Sequence, residues 1–286
     1  MSVAPLIEVQ ELAQRLHDPR LVILDATVVM PAARRDGDYR AESGRDRWVR
    51  AHIPGARFAD LLGELSDHTA TFHFAMPTAQ QLGRVLRQLG VDDGRWIVVY
   101  DVESGLWAAR LWWMLRSVGI GARVLNGGFA AWRAAGLPVE AGSVEAGRGA
   151  GLTLSIDRDA WVDLARVAAV ASGEQPGTLV CALTADGFHG RVPTRYARRG
   201  HIPGSVLQPA RDLFDASGCY LDAVQLAERA APLLRSASRP LILYCGGGIS
   251  AAANALALTL IGERDIAIYD GSLEEWTADP SRPVEL

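Results

Sequence analysis

Short apolar, β-branched runs alternate along this chain with stretches of helical periodicity. Leu21-Val22-Ile23-Leu24-Asp25 reads as a strand. Thr78 to Leu89 carries a helical pattern, with a start at Pro77/Thr78 and a stop at Gly90. Ile97 to Tyr100 is a second strand, and Trp107 to Val118 a helix that ends at Gly119. Further on, the apolar run Leu241-Ile242-Leu243-Tyr244 is followed by a tight loop and the alanine-rich stretch Ala251 to Leu258, again strand, loop and helix. This alternation predicts the α/β class, a mostly parallel sheet covered by helices on both faces. In such sheets ligands bind at the carboxyl ends of the strands.

The pattern occurs twice. Ala51-His52-Ile53-Pro54-Gly55-Ala56 returns as Gly200-His201-Ile202-Pro203-Gly204-Ser205. Ile97 to Tyr100 before Asp101 returns as Leu241 to Tyr244 before Cys245, and Asn126-Gly127-Gly128 with Trp132 returns as Asp270-Gly271-Ser272 with Trp276. The matches keep their order at a domain-sized period, so two tandem copies of one fold are expected. The Gly-rich, aperiodic segment from Glu140 to Gly151 is the expected joint. It separates units at residues 1–143 and 152–286.

Bulk properties narrow the functional classes. The chain has 286 residues, 49% of them apolar, enough for two packed cores. A formal net charge of −4 gives no footprint for nucleic acid, and no apolar run reaches membrane-spanning length. The three cysteines form neither a disulfide framework nor zinc-ligand spacing. No secretory signal is apparent at the N-terminus, so a reducing cytoplasm is the expected compartment.

The candidate chemistry centres on Cys245. It ends a buried strand and enters Gly246-Gly247-Gly248-Ile249-Ser250, which leads into a helix. Free N–H groups at a helix N-terminus favour an anion, and glycine backbone lets successive amides curl around one centre. Such surroundings lower a thiol pKa, so Cys245 is a candidate nucleophile. Ser250 is the expected N-cap and a candidate hydroxyl donor to the sulfur. A phosphatase-type loop would place an arginine six residues after the cysteine, where Ala251 stands. Cys181, at another strand end, reads as a small core residue rather than a redox partner, and Cys219 as incidental. His52 and His201 read as turn-holding residues, and Trp107, Trp112 and Trp113 as packing.

The two His-Ile-Pro-Gly motifs, the Cys245 loop and Tyr269-Asp270-Gly271-Ser272 with Trp276 resemble the tandem rhodanese-type sulfurtransferases over almost the whole chain. The resemblance implies two rhodanese-like domains: an inactive first one, with Asp101 at the cysteine position, and a catalytic second one carrying Cys245. It also implies transfer of a sulfane sulfur from 3-mercaptopyruvate or thiosulfate, through a Cys245 persulfide, to cyanide, a small thiol or a protein thiol such as a thioredoxin. No metal, organic cofactor, nucleic acid or membrane partner is implied. Gly246 matches the mercaptopyruvate group, whose loop typically reads Cys-Gly-Ser-Gly-Val-Thr, but Gly247 replaces its serine. Of two substrate-binding arginines usual before the second motif, Arg195 fits one, and no arginine stands at Asp186-Gly187-Phe188, the place of the other. Arg191 is the candidate substitute, forming an anion-gripping fork with Arg195. The first domain is expected to wall the cleft through Asp60, Asp67, His73 and Trp107. The departures leave one alternative, a rhodanese-like sulfur carrier or scaffold without small-donor activity.

Overall fold

The computed structural model describes residues 4–144, 147 and 149–286. Its first half runs β1 (Leu6–Ile7), α1 (Val9–Gln14), β2 (Leu21–Asp25), β3 (Val28–Val29), β4 (Glu42–Ser43), α2 (Arg45–Arg50), β5 (Arg57–Phe58), α3 (Ala79–Gln88), β6 (Trp96–Tyr100), α4 (Leu106–Ser117), β7 (Ala122–Leu125) and α5 (Gly128–Ala134). The second half runs β8 (Trp161–Val162), α6 (Leu164–Ala171), β9 (Thr178–Cys181), α7 (Ala185–Phe188), β10 (Val206–Leu207), a 3₁₀ turn (Ala210–Leu213), α8 (Ala223–Ser236), β11 (Leu241–Tyr244), α9 (Ile249–Leu260), β12 (Ile266–Tyr269) and α10 (Ser272–Ala278).

The first sheet has the strand order β1-β7-β6-β2-β5, and the second β10-β9-β11-β12-β8. Read in opposite directions, the two orders place equivalent strands at equivalent positions. All pairings within these two sheets are parallel, and β3 and β4 form a separate antiparallel pair. The central strands β6 and β11 are almost wholly buried, which is why both read as continuous apolar runs.

Local signals account for the boundaries. Thr78 caps α3, its hydroxyl accepting the Gln81 N–H at 3.2 Å. Gly90 and Gly119 take left-handed φ of 72° and 80° just beyond α3 and α4, a conformation that stops a helix at low cost with glycine. The described part of the joint is stitched to the first half. Gly149 donates to the Arg87 carbonyl, Thr153 to the Asp93 side chain and Ser155 to the Val118 carbonyl. Residues 152–157, expected to open the second unit, therefore run along the first. Positions 145, 146 and 148 of the expected joint lie outside the described residues.

The two halves share one core. Helices α4 and α9 pack against each other, and both are buried on nearly every side. The alanines of α9 let the helices approach closely, and one apolar cluster continues from Val99 and Trp113 to Leu243 and Leu256. Trp107, Trp112 and Trp113 lie in this cluster. One charge is sealed inside it. Arg110 of α4 is 1% exposed and donates to the Asp270 carboxylate and the Phe74 carbonyl, both at 2.6 Å. Its guanidinium lies 4.6 Å from the centre of the Trp161 ring. A buried charge requires such partners, so this pair fixes how the halves meet.

The two histidines hold turns. His52 Nδ1 contacts the Trp48 carbonyl at 2.8 Å, and His201 Nδ1 the Phe188 carbonyl at 2.9 Å, while the main chains of both bridge to Glu140 and Glu285. Among the described residues no helix is long and apolar enough to cross a membrane.

Candidate active site

Strand β11 delivers Cys245 to the rim of the second sheet, and the main chain around it is pinned. The Cys245 N–H donates to Ser272 Oγ at 3.2 Å, and its carbonyl accepts the Leu273 N–H at 3.1 Å. The next carbonyl, of Gly246, accepts the Glu274 N–H at 2.9 Å. Ser272 has φ 49°, a left-handed conformation unusual for a residue with a Cβ. Gly248, with φ 78°, turns the chain and caps α9, which begins at Ile249. Ser250 is thus the second helical residue rather than the N-cap, because the left-handed glycine reverses the chain two residues earlier than the sequence suggests. Among the described residues no hydrogen bond joins the Ser250 hydroxyl to the sulfur.

The matching loop of the first half shows what this geometry does. Asp101 Oδ1 accepts the N–H groups of Glu103, Ser104 and Gly105 at 2.9, 3.0 and 3.0 Å, and Oδ2 that of Ala108 at 2.9 Å. That loop also ends on a left-handed glycine, Gly105, with φ 76°. Four amides converge on one negatively charged side chain. In the second half the N–H groups of Gly246, Gly247 and Gly248 meet no main-chain acceptor among the described residues.

Above Cys245 lies a cavity of about 260 Å³. Its floor is Cys245, Gly246, Gly247, Ile249 and Ser250. One wall runs through Thr184, Gly187 and Val192 to Tyr196, and Ala210 and Arg211 of the 3₁₀ turn form another. The first half closes it with Met30, Tyr39, Phe74 and Leu106. Cys245 is only 3% exposed, so a small molecule reaches it only by entering the cavity.

Arg195 lines this cavity and is locked to the first half, its Nη2 donating to the Met30 and Pro31 carbonyls at 3.2 and 2.6 Å. Burial pushes its pKa below the usual value. The hydroxyls of half-buried Tyr39 and buried Tyr196 are pushed above theirs, also chiefly by desolvation. Glu274, on α10, pairs with His73 across the junction, and His73 stacks on Tyr39 at 3.6 Å.

The structure thus gathers Cys245, Gly246, Gly247, Ile249, Ser250 and Arg195 at one cavity, with Gly248 behind it as the turn. Arg191 is elsewhere: its side chain is 64% exposed and paired with the equally exposed Asp186, outside the cavity lining. The short helix α7 turns that part of the loop outward. Asp60, Asp67 and Trp107 do not line the cavity either, and His73 lies behind the lining, against Tyr39 and Glu274. Sequence reasoning missed Arg211, Tyr39, Tyr196 and Glu274. Of these, Arg211 had a usable signal, since it follows the carboxyl end of strand β10.

Equivalent strand ends explain Cys181. Asp25 ends β2 and Cys181 ends β9, each beside the tyrosine, Tyr100 or Tyr244, whose hydroxyl accepts the N–H of Ile53 or Ile202 in the His-Ile-Pro-Gly turns. Cys181 is completely buried, and burial pushes its thiol up to about 12, so it stays neutral at ordinary pH. That favours its reading as a core residue.

Asp25 is equally buried, and burial raises its carboxyl from 3.8 to about 6 despite hydrogen bonds from Thr27. A carboxyl with a raised folded-state pKa contributes stability below its unfolded pKa and loses it as pH rises through the folded value. Denaturant unfolding of wild type and Asp25→Asn should therefore differ by an amount that changes between pH ~4 and ~6 and is flat on either side. A difference independent of pH across that window would refute this.

The rhodanese-like domain pattern matches this chain twice, over residues 8–135 and 189–279. The chain belongs to the rhodanese family. A probable 3-mercaptopyruvate sulfurtransferase of Pseudomonas aeruginosa is 36% identical to this rhodanese, over 99% of both chains. A putative thiosulfate sulfurtransferase of Mycobacterium tuberculosis is 35% identical over 84% of this chain and 85% of its own. Among solved structures, the 3-mercaptopyruvate sulfotransferase SseA from Escherichia coli superposes with a TM-score of 0.79 at 30% identity, covering 94% of this chain and 99% of that one. The protein is accordingly a tandem-domain sulfurtransferase, with two parallel sheets flanked by helices.

Proposed function

We propose that this rhodanese moves a sulfane sulfur through a persulfide on Cys245, with 3-mercaptopyruvate as the preferred donor and thiosulfate as the lesser one. The observation that carries the reading is the pair of equivalent loops. One closes its amides on the Asp101 carboxylate, and in the other the N–H groups of Gly246, Gly247 and Gly248, which follow Cys245 at the floor of the cavity, meet no main-chain acceptor among the described residues. An outer persulfide sulfur is an anion and is suited to such hydrogen-bond donors.

In the first half-reaction the Cys245 thiolate attacks the donor sulfur and an S–S bond forms. With 3-mercaptopyruvate the C–S bond breaks, its electron pair passes to the enolate carbon, and the proton leaving the donor thiol ends on that carbon, giving pyruvate. With thiosulfate the S–S bond breaks and sulfite departs. In the second half-reaction cyanide or a thiol attacks the outer sulfur, the S–S bond breaks, and the thiolate returns as thiocyanate or a new persulfide leaves. Acceptors are small thiophiles, with a protein thiol such as a thioredoxin as a further candidate, in a reducing cytoplasm.

Preference for 3-mercaptopyruvate is supported by Gly246 at the cavity floor and by the names of the relatives. Intact-mass measurement after donor treatment, without acceptor, should show one added sulfur atom, located on the Cys245 peptide. Steady-state kcat/KM should be higher with 3-mercaptopyruvate than with thiosulfate. No added sulfur, or sulfur on another cysteine, would end the persulfide reading, and a reversed preference would end the donor assignment.

A further inference from the structure

The cavity lining includes a cation that the reading of the sequence passed over. Arg211 lies on the 3₁₀ turn that follows β10, lines the same cavity as Arg195, and is exposed. Among the described residues its guanidinium forms no ion pair, and the hydrogen bond that involves it is made by its own carbonyl. Arg195 is differently placed. Its Nη2 is committed to two carbonyls of the first half, which fixes the side chain, while its buried Nε has no partner. The cavity lining therefore includes one anchored guanidinium with an unsatisfied buried N–H, Arg195, and one arginine without an ion-pair partner among the described residues, Arg211. A buried donor left unpaired is costly, and an anionic ligand would relieve that cost.

We infer that Arg211 is a donor-binding residue, which together with Arg195 holds the carboxylate of 3-mercaptopyruvate and directs its sulfur at Cys245. Arg211 completes a two-arginine grip that the outward-facing, Asp186-paired Arg191 does not supply. The two arginines come from separate segments, the loop after α7 and the 3₁₀ turn after β10. Two guanidiniums at one cavity suit an anion, and the guanidinium fork matches a planar carboxylate bidentately. The tetrahedral oxygens of thiosulfate meet the same charges with a poorer geometric match. This assignment rests on the persulfide reading above.

Ping-pong kinetics separate the two halves of the reaction, so the test is direct. In Arg211→Ala the donor KM for 3-mercaptopyruvate should rise about 10- to 100-fold, with kcat at saturating donor little changed. Arg211→Lys should fall between the two, since charge returns without the planar fork. The acceptor KM should not move, and neither should the unfolding midpoint, because the side chain is exposed. Arg229→Ala, an exposed arginine on α8, controls for net charge and should behave as wild type. An unchanged donor KM in Arg211→Ala would overturn the inference, as would a change confined to the acceptor KM, which would make Arg211 part of an acceptor-docking surface. Intact mass distinguishes this failure from failure of the mechanism: Arg211→Ala should still load one sulfur onto Cys245 at high donor concentration.

Discussion

Cys245→Ser is expected to lower sulfur transfer from either donor by at least roughly 10⁴-fold and to leave the folded protein nearly as stable as wild type. The two outcomes have separate physical origins. A serine hydroxyl can neither ionise near neutral pH in this setting nor carry a sulfane sulfur, so no intermediate forms. The substitution is close in size, and the pinning of the loop uses the main-chain N–H and carbonyl of residue 245, which serine retains. Cyanide-dependent thiocyanate formation measures the first outcome and thermal unfolding the second. Residual activity within tenfold of wild type would remove Cys245 from the mechanism. A collapse of stability would mean that the activity loss reports on folding, and Cys245→Ala would then be compared at matched folded fraction.

The largest stability effect is expected from Asp101→Ala. Four main-chain N–H groups converge on this carboxylate, which is 1% exposed. Removing it orphans all four at the N-terminus of α4, the helix that carries the shared core. Bonds to a charged acceptor contribute about 1.5–3 kcal/mol each, and water can replace part of them, so a loss of about 3–5 kcal/mol is expected. For a chain this long that corresponds to a fall in unfolding midpoint of roughly 10 °C. Asp101→Asn should lie in between, because one carbonyl oxygen remains while an amide N–H₂ points at a donor. A midpoint within a degree or two of wild type for Asp101→Ala would show that the loop does not depend on its internal anion. It would also weaken the parallel between this loop and the amides that follow Cys245. Per unit of folded protein, Asp101→Ala should retain sulfur-transfer activity, since Asp101 does not line the cavity.

The sequence by itself determined the tandem α/β architecture, the register of the repeat, and the placing of Cys245 at a strand end before its glycine loop. Those features are local. Strand runs, helix-stopping glycines and a cysteine before three glycines act through φ/ψ preference and period, and both are written in neighbouring residues. Tertiary structure decided which side chains meet above Cys245. Arg191 and Arg211 looked alike as charges along the chain. The outward turn at α7 sends one to an exposed pair with Asp186, and the 3₁₀ turn after β10 sets the other on the cavity wall. Tyr39, Phe74 and Met30 close the cavity only because α4 packs on α9 and the Arg110–Asp270 pair fixes the junction, contacts between residues more than a hundred positions apart. Long-range packing of this kind leaves no periodic trace, because each partner obeys only its own element's pattern.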